Sequence, residues 1–305
     1  METTSPPVLV VGATGMLGGQ IVQSLIQQGR AAEVRATHRP EKTADADAIR
    51  EMGATPVEAD LLRPDTLPGA CEGAGVVVSA VSGPREPTVE GQKNLIAAAE
   101  EANVRRLIPS DYSVDFFNLD YGDNYNLDMR KEVAEALAES SLEATHVLNG
   151  AFADVALNDQ SFQFDLEEGV FGYYGDGEQP CDFTTVADTA RYTAAAATDP
   201  DAPEVLRVAG DVLTMKEFGA AYNAGMGRDL RPQSLGTLED LEAEIEERKA
   251  GADSPMEYVM HQYHWAMVTG KGKLDPLENG RYPQVEPQGV EAFLRQQRTA
   301  ESAVA

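Results

Sequence analysis

The stretch VLVVGATGMLGGQIV, residues 8–22, decides the fold of this 305-residue chain. Its first part, VLVVG at 8–12, is a short apolar run of the kind that forms a buried strand. The residues after it predict an amphipathic helix over 16–28, because apolar side chains recur every four residues at Leu17, Ile21 and Leu25. Gly29 is a typical helix end. The stretch therefore predicts a strand, a glycine-rich turn and a helix in direct succession.

The same alternation of strand and helix continues to residue 152. Further strands are predicted at 33–39, 54–61, 75–82, 105–110 and 144–152, and further helices at 44–52, 89–103 and 127–140. Strands that alternate with helices form right-handed βαβ units, and their parallel sheet is covered on both faces. We therefore predict an α/β fold, a Rossmann-type doubly wound parallel sheet.

Beyond residue 152 the pattern changes and predicts a smaller C-terminal α+β substrate lobe. The expected elements are a hairpin around Gly169 within 161–183, a helix at 186–198, a strand at 204–209, helices at 215–226, 238–251 and 287–298, and a frayed end at 299–305. Since 184–210 resumes the core pattern, the predicted division is a Rossmann domain of 1–152 with 184–210, and a lobe of 153–183 and 211–305.

Three glycines, Gly12, Gly15 and Gly18, lie in the first turn between strand and helix. In dinucleotide sites one glycine permits the tight turn, one lets backbone amides approach the pyrophosphate, and one allows close packing of helix on strand. The spacing G-x-x-G-x-x-G at the start of a βα series predicts such a site. The alternative is a tight turn without a ligand.

The end of the second strand favours NADP(H) over NAD(H). An NAD site has an acidic residue there for the ribose 2′-hydroxyl, whereas this strand ends Thr37-His38-Arg39, with Lys42 close behind. A guanidinium at Arg39 would pair with a 2′-phosphate and stack on the adenine. The alternative is that Arg39 pairs with a surface carboxylate such as Glu41.

The charge balance excludes several classes of partner. The chain has 51 Asp and Glu against 24 Lys and Arg, a formal charge of −27, which disfavours direct contact with nucleic acid or an anionic membrane. Only seven of the basic residues are lysine, so we hypothesise an acidic, halophilic protein of a high-salt cytoplasm, in which salt screens the self-repulsion.

The amino-terminal residues do not read as a signal peptide, and no apolar run is long enough for a membrane helix. The two cysteines, Cys71 and Cys181, make no disulfide framework and fit a reducing cytoplasm. His261 and His264 lack the neighbouring ligands of a metal site, so no metal is expected.

Four segments resemble the NmrA-like and isoflavone-reductase-like atypical short-chain dehydrogenases: the opening stretch, SAVSGP (79–84), RRLIPSDYS (105–113) and THVLNGAF (145–152). The resemblance implies an NADP-binding Rossmann core with a small substrate lobe. It places Gly12, Thr14, Gly15, Met16, Leu17 and Gly18 at the pyrophosphate, Arg39 at the 2′-phosphate, and Asp60 and Leu61 beside the adenine. It further places Ala80, Val81 and Ser82 along the ribose, and Ser110 and Asn149 near the nicotinamide.

The catalytic group is harder to assign, because none of the ten tyrosines has the lysine four residues on that most short-chain dehydrogenases use. The resemblance implies a single lysine on the helix after the fifth strand, and that position falls on Arg130, next to Lys131. Lysine can lose its proton when desolvated but arginine cannot. Adjacent helical residues point about 100° apart, so only one can face the pocket. Lys131 is the first candidate for the catalytic acid or base. The alternative is that Lys131 forms a surface ion pair with Glu135. Tyr112 is a secondary candidate for the proton donor.

These observations predict an NADPH-dependent oxidoreductase that reduces a small neutral carbonyl compound or conjugated enone. The aromatic residues of 258–267 are candidates for a substrate wall, or else for lobe core. The alternative function is a non-catalytic NADP(H) sensor or regulator acting through a protein partner, for which the acidic helix at 238–251 is a candidate surface. A homo-oligomer is also compatible with the sequence.

Overall fold

The structure, a computed structural model, describes residues 7–30, 34–154 and 164–304. Its strands are β1 Val8–Val11, β2 Val34–His38, β3 Thr55–Glu58, β4 Val76–Ser79, β5 Arg106–Ile108, β6 Glu143–Ala144, β7 His146–Leu148, β8 Ala151–Phe152, β9 Phe164–Asp165, β10 Val170–Tyr174, β11 Cys181–Thr184, β12 Val205–Arg207, β13 Asp211–Leu213 and β14 Arg231–Gly236. Its α-helices are α1 Met16–Leu25, α2 Thr43–Glu51, α3 Leu67–Cys71, α4 Gly91–Glu101, α5 Tyr125–Ala138, α6 Val186–Thr198, α7 Met215–Met226, α8 Leu238–Gly251, α9 Val259–Val268 and α10 Val290–Val304.

A parallel sheet with the strand order β3-β2-β1-β4-β5-β6 forms the centre of the described chain. The strand β1 is buried along its whole length. Val8 and Val10 pack into one apolar core and Leu9 and Val11 into another, because successive side chains of a strand point to opposite faces. A sheet covered on both faces is the predicted Rossmann-type doubly wound fold, and the prediction is confirmed.

Each face of the sheet is covered by helices. One face packs against α1 and α6, with Ile21 and Tyr192 in its core. The other packs against α3, α4 and α5, with Leu95 and Val133 in its core. The helix α6 thus returns to the sheet after the chain has left it, which accords with the predicted return of 184–210. The division into a domain and a lobe stays a prediction.

The strand predicted over 144–152 is wrong as a single element. The chain forms three short strands there, and each belongs to a different sheet. After β6 the backbone leaves β5, and the amide of His146 donates to the carbonyl of Glu204, so that β7 pairs with β12. It turns again at Gly150, whose φ of 68° lies in the left-handed region. These two changes of partner bring the residues of this segment to the junction with the C-terminal lobe.

The C-terminal lobe has an aromatic core and two small sheets. Its core includes Phe171, Phe183, Phe218 and Tyr222. The predicted hairpin around Gly169 is confirmed for β9 and β10, whereas 161–163 lie outside the described residues. The strands β11, β13 and β14 and the helix α3 were not predicted. The predicted end of the last helix at 298 is wrong, because α10 continues to Val304. The frayed end stays a prediction.

Among the described residues no helix has both the length and the apolar content to cross a membrane. Cys71 and Cys181 are buried free thiols. Burial raises the pKa of the Cys71 thiol to about 11, so this cysteine stays protonated at neutral pH.

Candidate functional site: a cleft at the carboxyl edge of the sheet

A cleft of about 400 Å³ opens where β1, β2 and β4 end. In a doubly wound sheet, ligands bind at this carboxyl edge. The lining residues are Val11, Gly12, Thr14, Gly15, Thr37, His38, Arg39, Asp45, Ala59, Asp60, Leu61, Leu62, Leu67, Ala80, Val81, Ser82 and Pro87. Of the predicted cofactor residues, this cleft therefore brings together Gly12, Thr14, Gly15, Arg39, Asp60, Leu61, Ala80, Val81 and Ser82.

Two glycines of the turn leave no room for a Cβ. Gly12 has a φ of 86°, and a Cβ there would lie 2.7 Å from the carbonyl oxygen of Ala80. A Cβ on Gly18 would lie 2.1 Å from the carbonyl oxygen of Gly12, so this glycine lets α1 pack directly on the turn. Gly12 thus permits the tight turn and Gly18 the close packing of α1, and the cleft lies open above the turn.

The amino end of α1 points its free amides at the cleft. Its N-cap is Gly15, which has no side chain that could accept a hydrogen bond from the amides of the first turn. The first backbone hydrogen bond of the helix runs from the amide of Gly19 to the carbonyl of Gly15. The amides of Met16, Leu17 and Gly18 thus have no acceptor one turn back. Together with the positive end of the helix dipole they fit a diphosphate.

Arg39 follows β2 at the rim of the cleft. Its Nε lies 3.8 Å from Glu41 Oε1, and the two side chains are 59% and 57% exposed. An exposed pair at this distance contributes little, so the guanidinium can turn toward a ligand at small cost. Thr37, His38 and Asp45 line the same region and were not predicted as site residues.

Ser110 and Asn149 lie outside the cleft, in buried positions at the ends of β5 and β7. The amide of Ser110 donates to Gln92 Oε1 at 3.0 Å. Gln92 was not predicted near the site, although a glutamine among the buried positions of α4 is a visible signal. Asn149 is fully buried, and neither Oδ1 nor Nδ2 has a partner among the described residues. An unpaired buried amide is costly, so Asn149 fits the predicted contact with a polar ligand group.

Lys131 lies on the outer face of α5. Its Nζ donates to the carbonyl of Leu119 and lies 5.2 Å from the centre of the Tyr121 ring. The Tyr121 hydroxyl in turn donates to Glu135 Oε1 at 2.9 Å. The ammonium group is therefore engaged with the loop before α5, and Glu135 with the same tyrosine.

Arg130 lies about 100° around α5 from Lys131 and faces the C-terminal lobe. It shares this side with Leu127 and Ala134, which pack into the lobe core. Arg130 Nη1 donates to the hydroxyl of Tyr263 on α9 at 3.1 Å, and Nε is buried with no acceptor among the described residues. Of the two adjacent cations, the arginine is thus the one that faces the junction between sheet and lobe.

Tyr112, the secondary candidate, lies in the core formed with α6. It is 5% exposed, and burial, with the adjacent Asp111 carboxylate, raises the pKa of its hydroxyl far above the ordinary value. The Asp111 carboxylate accepts from His146, with Oδ2 2.5 Å from Nδ1. Neither Tyr112 nor this pair lines the cleft.

The two histidines of α9 belong to a polar cluster of the lobe. His261 Nε2 lies 3.3 Å from Glu244 Oε1, and the His264 ring meets the Tyr174 ring edge-on at 5.6 Å between centres. Burial lowers the pKa of His264 to about 4. In the ranges that the structure describes, no group of three or more His, Cys, Asp or Glu side chains could hold a metal ion.

Comparison with known proteins confirms the resemblance. The sequence model of the NmrA-like family matches residues 4–294. Pinoresinol reductase 1 from Arabidopsis thaliana is 27% identical, over 96% of this chain and 98% of its own length. The solved structure "AtPrR2 with NADP+ and (+)pinoresinol" has a TM-score of 0.81 and 24% identity, covering 96% of this chain and 98% of its own. The NADPH-dependent quinone oxidoreductase QOR2 of Escherichia coli, complexed with NADPH, has a TM-score of 0.79 and 22% identity, covering 95% and 99%.

Proposed function

The chain belongs to the NmrA-like family, and from this premise we propose that it is an NADP(H)-dependent reductase acting on a small neutral carbonyl compound or conjugated enone. The observation that carries the proposal is the cleft, which joins the glycine turn, the open end of α1 and Arg39. The relatives whose structures hold NADP+ or NADPH support the choice of cofactor. When bound, this cofactor supplies a hydride.

Different residues bind different parts of the cofactor. Gly12 and Gly15 make room for the diphosphate, and the first amides of α1 donate hydrogen bonds to it. Arg39 selects the 2′-phosphate, because a guanidinium gives a phosphate two parallel hydrogen bonds. Asn149 lies outside the cleft, and its buried side-chain amide, which lacks partners among the described residues, receives the nicotinamide carboxamide.

Arg130 is the residue we assign to the substrate oxygen. It keeps its positive charge at any working pH and cannot remove a proton. It therefore polarises a carbonyl that accepts hydride and stabilises the negative charge that develops on its oxygen. Lys131 positions the loop at Leu119 and Tyr121. The acidic surface disfavours an anionic substrate and agrees with a neutral one.

A sensor of the NADP(H) pool is the second candidate function. The engaged position of Lys131 favours it, because neither cation of α5 is then a free base. Its partner surface would be α8, which buries Leu241 and Ile245 and exposes most of its acidic side chains.

One experiment separates the two functions. The purified protein is titrated with NADPH and NADH, and NADPH oxidation is then followed with a panel of quinones and conjugated enones. The proposed reductase binds NADPH more tightly and oxidises it with at least one acceptor. Binding without turnover on the panel supports the sensor, and no binding of either nucleotide refutes both functions.

A further inference from the structure

One of the hydrogen bonds between α5 and α9 joins Arg130 to Tyr263. Arg130 Nη1 is the donor and the Tyr263 hydroxyl oxygen the acceptor, at 3.1 Å. Since the hydroxyl accepts here, its own proton is available, and it has no acceptor among the described residues. Tyr263 is half-buried against the lobe core, so its hydroxyl is neither fully solvated nor fully enclosed.

Hydrogen bonds on the neighbouring residue fix this geometry. Gln262 is buried, and its Oε1 accepts from the amide of Tyr125 at 3.1 Å while its Nε2 donates to the carbonyl of Gly122. Asn124 caps α5 and donates to the carbonyl of Val259. The first turn of α5 is thus attached to α9, and Tyr263 is held beside Arg130.

The pair lies at the edge of the sheet that holds the cleft. The helix α5 follows β5, and a helix that follows a parallel strand begins at the carboxyl edge. Arg130 is in the second turn of α5 and its buried Nε lacks an acceptor, so one donor of the guanidinium is still unpaired. The unpaired Nε donor of Arg130 lies on the same side chain that contacts the Tyr263 hydroxyl, whose proton is not donated to any described residue. Together these two donors can stabilise a substrate oxygen on which negative charge develops.

From this geometry we infer that Arg130 and Tyr263 form the oxyanion site of the reductase, with Tyr263 as its proton donor. The inference rests on the proposed function and extends it to a residue of the C-terminal lobe. As the hydride forms the new C–H bond, the C=O π electrons move to oxygen, directly or through the conjugated C=C. The Tyr263 O–H bond breaks, its proton goes to that oxygen, and the tyrosinate is neutralised by a proton from water. Arg130 stabilises both anions in turn.

The substrate class follows from the same chemistry. The pair can donate a proton and stabilise an anion, but Arg130 cannot take up a proton to start a reaction. The pair is therefore suited to hydride acceptors that are electrophilic without prior removal of a proton, namely quinones and conjugated enones.

The test uses 4-nitrophenol as the probe, because its phenolate is coloured and imitates the oxyanion. We expect the wild-type protein with NADP+ to bind the phenolate and to shift its titration to lower pH. Tyr263→Phe and Arg130→Gln should each weaken this binding by about 10-fold to 100-fold, the loss expected for a hydrogen bond to a charged group. Tyr121→Phe is the matched control, since this hydroxyl lies on the outer face of α5, and phenolate binding should not change.

The outcomes distinguish a catalytic pair from a structural one. If Tyr263→Phe lowers only the melting temperature and leaves phenolate affinity unchanged, the pair merely joins the two helices and the inference is wrong. Should Tyr263→Phe fail to fold, Arg130→Lys makes the same test, because it keeps the charge and loses the fork of donors. NADPH affinity, measured in parallel, tests the proposed function separately, since neither residue lines the cofactor cleft.

Discussion

Arg85 donates two hydrogen bonds to the carboxylate of Glu132, Nη1 to Oε1 at 2.8 Å and Nη2 to Oε2 at 2.6 Å. Arg85 follows the segment that ends in Ser82 at the rim of the cleft, and Glu132 lies on α5, two residues after Arg130. The pair thereby connects the cofactor cleft to the helix of the oxyanion site. The hydrogen bonds from Arg85 hold the pKa of Glu132 below its usual range, so the carboxylate stays ionised at neutral pH.

Arg85→Met should loosen the rim of the cleft. We expect the dissociation constant for NADPH to rise by about 3-fold to 10-fold, while the melting temperature changes little because the pair is partly exposed. Isothermal titration calorimetry measures the first quantity and calorimetric unfolding the second. Lys93→Met is the control, because Lys93 Nζ lies 3.9 Å from the same carboxylate and makes a weaker contact. Equal effects of the two variants would contradict the role given to Arg85.

Arg39→Glu should change the choice of cofactor. The substitution removes the guanidinium and places a negative charge near the 2′-phosphate, so the dissociation constant for NADPH should rise by about 100-fold. The constant for NADH should change by only about 2-fold, because NADH lacks this phosphate. Arg50→Glu makes the same charge change on α2, where Arg50 is exposed and pairs with Asp47, and serves as control. Equal losses for both nucleotides in Arg39→Glu would show that the assignment is wrong.

Gly18→Ala should lower both stability and cofactor affinity. The new Cβ would meet the carbonyl oxygen of Gly12 at 2.1 Å, so α1 must move away from the turn. Overpacking of this kind costs about 1–3 kcal/mol, or roughly 2–10 °C in melting temperature. Gly69→Ala in α3 is the control, because nothing lies within 4 Å of its Cβ, and its melting temperature should not fall. An unchanged Gly18→Ala protein would refute the close packing.

His264 should make the protein less stable in mild acid. Its pKa is about 4 when folded and 6.5 in the unfolded chain, where burial is lost. Between pH 6.5 and 4 the unfolded state therefore binds more protons than the folded state. The free energy of unfolding is highest above pH 6.5 and decreases as the pH falls toward 4. Thermal unfolding across this range measures the loss.

Other titratable and charged groups lie around His264, and a control variant must retain them. They are Tyr174 on β10, Glu244 and Arg248 on α8, and His261 on α9. Burial also lowers the pKa of His261. Burial by itself would raise the pKa of Glu244, but hydrogen bonds from Tyr174 and Arg248, together with the charges of His261 and Arg248, lower it overall. These groups remain in His264→Leu, so this variant should show a shallower loss than the wild type. Parallel curves would contradict the assignment to His264.

Salt should stabilise the protein if its acidic surface is an adaptation to brine. The net charge is −27, so the excess carboxylates repel one another. The screening length falls from about 10 Å at 0.1 M to about 3 Å at 1 M salt. We expect the melting temperature to rise by several degrees between these concentrations of KCl. Chloride is the suitable anion, because sulfate stabilises proteins through exclusion from their surface. An unchanged or lower melting temperature would contradict the high-salt hypothesis.

The sequence was sufficient for the α/β core because the signals there are local. Four consecutive apolar residues at 8–11, a glycine turn and a four-residue apolar period specify strand, turn and helix without reference to distant residues. The boundaries of α6, α7 and α8 were predicted to the residue for the same reason, since polar caps and apolar faces lie within each segment.

Partner changes between strands were not visible in the sequence. The segment 144–152 has the composition of one strand, yet it contributes to three sheets, because β12 and β11 compete with β5 for its backbone hydrogen bonds. The strands β13 and β14 have no apolar alternation of their own, and strand pairing alone defines them.

The sequence by itself determined the sheet, the glycine turn and the cationic residue at the end of β2, since each depends on residues close together in the chain. Only the tertiary structure decided which neighbour on α5 faces the lobe. A difference of about 100° around the helix axis separates Arg130 from Lys131, and the contacts of Arg130 with α9 and of Lys131 with the preceding loop fix which way each points. The contact of Arg130 joins residues 133 positions apart, and no local pattern encodes it.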